Sequence, residues 1–258
     1  MKTDHRKLLA EFYLDNGLLP NSDQCQNEAQ CGKEASPRKL WKGAGAHVGS
    51  KYGAPYRIVV VSLDRGDGDQ NKESGDIEKR SVEIEKIWNE KLNQHMSGTK
   101  RLLEAILKNI YTEENLFSHY AMTNSAKCCG ADKSMSSVPE ALYWNCAEFS
   151  RCEIQLLDPE LVVTQGKMAL CGLYNCFHKL SESEISEILD HLDAKSGFMQ
   201  QIVMNLLTEH IQRLTIGNLS AVLLILPHPS ARGGQWQHFE KYFLELSVEI
   251  VRFLVAKK

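Results

Sequence analysis

The chain has 258 residues, a formal net charge of −3, 43% hydrophobic residues and 24% charged residues. That length suffices for one sizeable α/β core or two small ones, and the composition excludes a disordered or fibrous chain. No apolar run approaches a membrane span, the start Met1-Lys-Thr-Asp-His-Arg-Lys7 lacks the apolar core of a signal peptide, and the mild acidity gives no global basic signature for nucleic acid. A cytoplasmic protein without membrane contact is expected, and any nucleic-acid contact has to come from a local basic cleft.

Residues 5–14 have the spacing of a short amphipathic helix. The stretch 16–50, which holds Cys25 and Cys31, is polar and turn-rich with little periodicity. A stretch of that kind inside a compact protein needs something to order it, such as a bound cluster. A first strand is predicted over 56–64, ending at Asp64 and opening into Arg65-Gly66-Asp67-Gly68-Asp69. A glycine such as Gly66 lets the backbone approach a ligand closely; a solvated acidic turn is the other reading of this loop. Charged residues 76–93 predict a helix, and 99–110 predict a second, with Leu102, Leu103, Ile106, Leu107 and Ile110 on its apolar stripe.

A second strand over 118–124 ends in Thr123-Asn124 and leads to Ser125-Ala-Lys127-Cys128-Cys129-Gly130. Val138-Pro139 opens a helix that carries Cys146 and Cys152 to about residue 157, and a third strand over 160–165 precedes Gly166-Lys167. Cys171 and Cys176 follow in an apolar helical stretch and read as core packing. Helices are predicted over 182–193 and 197–214. The apolar run 221–226 stops at Pro227 and empties into His228-Pro229-Ser230, with Arg232 beyond. It reads as a buried parallel strand ending at a site edge, or as a Pro-Gly turn that holds a chance histidine. Residues 236–256 carry the stripe of a closing helix.

Four strands joined by helical crossovers predict an α/β fold, a three-layer α/β/α domain with a four-stranded parallel sheet. The whole chain, 1–258, reads as one domain with an ordered N-terminal segment at about 16–55 and helical insertions at about 70–98 and 172–218. Ligands of such sheets bind beyond the carboxyl ends of the strands. Those ends present Asp64, Asn124, Gln165-Gly166-Lys167 and His228-Pro229-Ser230. An amide can read a donor–acceptor pair on a base-like ring, an acid can orient water or stabilise a cation, and a histidine can stabilise a developing anion. Eight cysteines in a chain without an export signal point to metal, cluster or redox chemistry more than to disulfides.

Taken in order, Cys25 and Cys31, Val59 to Gly66, Thr123-Asn124-Ser-Ala-Lys127-Cys128, Cys146, Leu157-Asp-Pro159-Glu-Leu-Val-Val163-Thr-Gln-Gly166-Lys167 and His228-Pro229-Ser230 resemble the motifs of the uracil-DNA glycosylase superfamily, especially its iron–sulfur (family 4-type) branch. The resemblance covers roughly residues 25–240, and 123–167 is its most specific block. It implies a 4Fe–4S cluster on Cys25, Cys31, Cys128 and Cys146, since such a cluster takes four thiolates. A structural zinc would accept the same four, Cys129 competes with Cys128, and free buried thiols are the unremarkable alternative. The cluster would be structural.

The resemblance further implies a monomeric DNA glycosylase that hydrolyses the N-glycosidic bond of a flipped uracil or bulkier modified base, in repair or antiviral defence, and leaves an abasic site. Asn124 would hydrogen-bond the base, and His228 would stabilise it as it leaves. Asp64 would position water or stabilise the oxocarbenium-like sugar. Gly66 would lie close to the substrate, and Ser230 and Arg232 against the DNA strand. Departures accompany the match. Leu63 stands where the branch usually carries an acid, and Asp64 falls where the uracil-specific branch has its water-activating aspartate. Gln94-His95-Met96-Ser97-Gly98 replaces the segment whose aromatic residue stacks on the base, which makes His95 a substrate-facing candidate. The alternative is a DNA-binding protein of the same fold that has lost catalysis.

Overall fold

A computed structural model describes residues 3–19, 25–37, 39–42, 45–63, 77–107, 114–130, 138–166, 168–170, 172–173, 215–216, 219–230, 236 and 240. The centre is a five-stranded, mostly parallel sheet ordered β2-β4-β3-β6-β9. Its members are β2 (His47–Val48), β3 (Ile58–Ser62), β4 (Tyr120–Asn124), β6 (Leu161–Gln165) and β9 (Val222–Leu226). The four long strands are parallel to their neighbours, and β2 adds an antiparallel edge on β4. The four-stranded expectation therefore misses one strand. With only two residues, β2 is too short to show any alternation.

Strands β3, β4 and β6 are buried at every position, which is why β3 and β6 open on the apolar runs Ile58–Val61 and Leu161–Val163 rather than on an alternating pattern. Their side chains still divide by parity. Ile58 and Val60 join a cluster with Leu102, Leu103 and Ile106 of helix α4 (Gln94–Leu107). Val59 and Val61 join another with Leu9 and Tyr13 of α1 (His5–Asp15) and with Phe149 and Ile154 of α6 (Ala147–Leu157). Each fully buried aliphatic side chain in these clusters contributes on the order of 2 kcal/mol.

Several predicted boundaries move. Helix α4 starts at Gln94, not at Thr99, because Asn93 accepts the Met96 N–H at 2.8 Å and caps it. Gly98 lies inside this helix, where a Cβ would be only 2.6 Å from Pro229 Cβ. His95 thus lies in the first turn of α4. Within the insertion expected over 70–98, the described part ahead of α4 is α3 (Ile77–Lys86) followed by a 3-10 turn at Ile87–Asn89.

The helix predicted over 138–157 is two helices, α5 (Glu140–Asn145) and α6, broken at Cys146. The segment read as polar and turn-rich holds α2 (Glu28–Ala35) and β1 (Leu40–Lys42). Eight mostly polar residues are too few to display a helical period. β1 pairs antiparallel with β5 (Cys128–Gly130). A short hairpin, β7 (Thr215–Ile216) with β8 (Leu219–Ser220), precedes β9, so the predicted helical insertion ends in strands. The helices predicted over 182–193 and 197–214, Cys171 and Cys176 lie outside the described residues, as does most of the closing helix. Among the described residues no helix is long and apolar enough to cross a membrane.

Candidate functional site

The chain leaves β3 toward β4 on one side and leaves β6 toward β9 on the other. The crevice between β3 and β6 is therefore the topological switch point, where ligands of open parallel sheets bind. Helix α4 delivers His95 to that crevice. Its Nε2–H faces Gln165 Oε1 at 2.7 Å and Ser62 Oγ at 3.1 Å, one group from the tip of each strand. Gln165 Nε2 donates to Thr99 Oγ1 at 3.0 Å, and Thr99 Oγ1 donates to the His95 carbonyl at 3.1 Å. This ring of bonds locks His95 and satisfies both ends of the fully buried Gln165 amide.

His228 follows β9 and stacks on His95, with ring centroids 4.8 Å apart and an interplanar angle of 26°. Its Nδ1 accepts the Ser230 N–H at 3.2 Å, so in the neutral ring the proton resides on Nε2. Burial, and then the neighbouring His95, push the His228 pKa down to about 4; burial also lowers that of His95. Both imidazoles are neutral at pH 7, which leaves His228 Nε2–H as a donor. Gly166, at φ +103°, lets the chain turn beside this pair, and a Cβ there would meet Leu63 Cδ2 at 3.1 Å and His228 Cβ at 3.3 Å. Leu63, in the position expected of an acid, lines this corner with hydrocarbon.

Asn124 ends β4 opposite Ser62 and is buried. His95, Asn124, His228 and Ser230 thus lie at the carboxyl ends of adjacent parallel strands, Ser230 exposed and the others wholly or partly buried. Asp64, Gly66 and Arg232, read from the sequence as site residues, lie outside the described residues. Sequence reading set Gln165 at a strand end without a role of its own and left Ser62 and Thr99 out. The available signal was Gln165, a polar residue at the tip of an apolar strand.

A few residues beyond Asn124, four cysteines from separate segments line one cavity of about 340 Å³: Cys25, Cys31, Cys128 and Cys146. The local structure that brings them together is specific. Cys25 precedes α2, and Cys31 lies within it. Cys146 occupies the break between α5 and α6, at the N-terminal end of α6. Asn27 Nδ2 donates to the Asn145 carbonyl at 2.5 Å and ties α2 to that break. The β1–β5 pairing brings Leu40 and Lys42 to the same wall as Cys128. Cys129, its neighbour on the strand, is turned the other way, with Sγ 3.8 Å from the Trp41 carbonyl. Cys152 is half-buried on α6 and does not line the cavity.

N–H groups aim at three of the four sulfurs: Asn27 N at Cys25 Sγ (3.5 Å), Asn145 Nδ2 at Cys31 Sγ (3.4 Å) and Lys127 N at Cys146 Sγ (3.4 Å). Such donors accompany thiolates that ligate iron–sulfur clusters. Burial raises the Cys128 and Cys31 thiols, and pushes Cys146 up to about 12. Four thiolates here would need a bound cationic centre to offset that burial. A single zinc needs all four sulfurs within about 2.3 Å of one point, whereas among the described residues no three His, Cys, Asp or Glu side chains converge on one ion position. The four thiol side chains around the cavity are the donor set that a 4Fe–4S cluster or a structural zinc would take. Comparison of the sequence with protein-family models and with curated protein sequences finds no match.

Proposed function

We propose that this chain is a DNA glycosylase with a three-layer α/β/α fold, in which a 4Fe–4S cluster held by Cys25, Cys31, Cys128 and Cys146 orders the N-terminal segment. The observation that carries the reading is the assembly of those four cysteines, from three stretches of sequence, around one cavity adjoining the strand end that bears Asn124. When bound, the cluster supplies cross-linking of α2, β5 and the α5–α6 break. It takes no part in the bond cleavage.

The rest belongs to the chain's own side chains. Asn124 offers a buried amide with a donor and an acceptor to the edge of a flipped base. His228, neutral and with its proton on Nε2, donates to the base oxygen that gains charge as the glycosidic bond breaks. His95 supports His228 by stacking, and Asp64 positions the attacking water or stabilises the sugar cation. Ser230, exposed beside His228, and Arg232 contact the DNA strand. The protein acts as a cytoplasmic monomer on DNA.

The test pairs an optical and iron measurement with base release from duplexes containing uracil, hypoxanthine or glucosylated hydroxymethylcytosine. A brown, iron-bearing protein that leaves abasic sites on one of them is the expected result. A colourless, iron-free preparation with no abasic product on any duplex refutes the reading. Leu63, packed at the corner where an acid is usual, favours a second reading, a DNA-binding protein without catalysis. Base release by wild type that disappears in Asp64→Asn and His228→Ala excludes it.

A further inference from the structure

We propose that Lys127 is a positioning residue for Asn124, holding the end of β4 through a buried network that reaches two helices. The inference rests on the reading of Asn124 as the base-binding amide. Lys127 and Glu153 have side-chain exposures of 1% and 0%, and Lys127 Nζ lies 2.6 Å from Glu153 Oε2. The other carboxylate oxygen accepts the Tyr13 hydroxyl at 2.5 Å. Glu153 comes from α6 and Tyr13 from α1, so α6 holds the ammonium directly and α1 steadies the carboxylate that holds it.

On its other side the same ammonium donates to the Asn124 carbonyl. The chain folds there over the end of β3: Ser125 N–H donates to the Ser62 carbonyl at 2.9 Å, and Ala126 N–H to the Leu63 carbonyl at 3.0 Å. The Lys127–Asn124 bond closes this turn and fixes the peptide that follows Asn124. That peptide sets the direction of the Asn124 side chain. Lys127 also stands on the wall of the cysteine cavity, with its N–H toward Cys146 Sγ. One residue therefore braces both the cavity and the base-facing strand end.

A buried ion pair is seldom retained for stability alone, because an apolar replacement of similar volume is often neutral or better. The Asn124 bond supplies the further reason for a lysine here. It also separates a positioning role from a purely structural one. The variant Lys127→Met/Glu153→Gln removes both charges together, so no unpaired charge is left buried. For a mere structural pair, stability, amide exchange and catalysis all stay near wild type.

Positioning predicts a different pattern. The double variant keeps its melting temperature, iron content and affinity for an abasic-analogue duplex within about twofold. Hydrogen exchange at the Ser125 and Ala126 amides rises about tenfold, and single-turnover base release on the three duplexes above falls about tenfold, as loss of one charge-assisted hydrogen bond implies. Unchanged exchange and unchanged rate at retained stability overturn the proposal. Tyr13→Phe, which only loosens Glu153, is the second variant should the double variant not fold. It raises exchange at the same two amides, and unchanged exchange there again overturns the proposal. If wild type releases no base, the glycosylase reading falls, while the exchange data still decide whether Lys127 holds Asn124.

Discussion

Replacing Gly98 with alanine sets two effects of opposite sign against each other. In a helix interior the change favours stability by about 1 kcal/mol. Here, however, the new Cβ would lie 2.6 Å from Pro229 Cβ, 3.0 Å from Pro229 Cγ and 2.9 Å from Trp236 Cε2. Comfortable carbon contacts are about 3.5–4.0 Å, so the segment after β9 has to move away from α4 by roughly the missing ångström. Overpacking of this kind costs about 1–3 kcal/mol, and proline and a buried tryptophan ring yield poorly because neither has a flexible end at the contact. The net expectation for Gly98→Ala is destabilisation of up to about 2 kcal/mol, a fall in Tm of up to about 8 °C. Pro229 adjoins His228, so base release falls along with stability. Thermal unfolding followed by circular dichroism, together with a single-turnover excision assay, measures both. A variant that melts higher than wild type and excises at an unchanged rate refutes the seating of the His228 segment on α4.

Stability falls with acid through His47, whose pKa burial pushes down to about 3. The unfolded chain binds a proton near pH 6.5 and the folded chain does not, so stability is full above that pH and is lost as pH drops from about 6.5 toward 3, by about 1.4 kcal/mol per unit for this one group. Urea unfolding at pH 7 and pH 5 should show His47→Asn with a pH-dependent loss about 2 kcal/mol smaller than wild type; an identical pH dependence shows that His47 is not the titrating group. Cys128→Ser should abolish the iron chromophore while Cys129→Ser retains it, since only Cys128 lines the cavity; the reverse outcome in iron analysis exchanges the two assignments.

The apolar runs 58–61, 161–163 and 222–226 announced their strands in the sequence because strands buried on both faces are mostly hydrocarbon. Short polar elements gave no such signal: α2 has too few residues for a period, and β1 and β2 are too short to alternate. Glu153 was legible in principle. It shares a helix face with Phe149 and Leu157 at i−4 and i+4, and an acid on an apolar stripe asks for a buried partner.

Residue chemistry and order were determined by the chain alone: cysteines in number, an amide and a histidine at the ends of predicted strands, and the absence of any apolar run long enough for a membrane span. What only the tertiary structure decided was direction. Cys128 rather than Cys129 turns to the cavity because β5 pairs with β1, and His95 reaches Gln165 because α4 starts one turn early. His228 carries its proton on Nε2 because the Ser230 amide occupies Nδ1. Each of these depends on which way a side chain points. Direction follows from pairing partners and packing distant in sequence, which local composition does not encode.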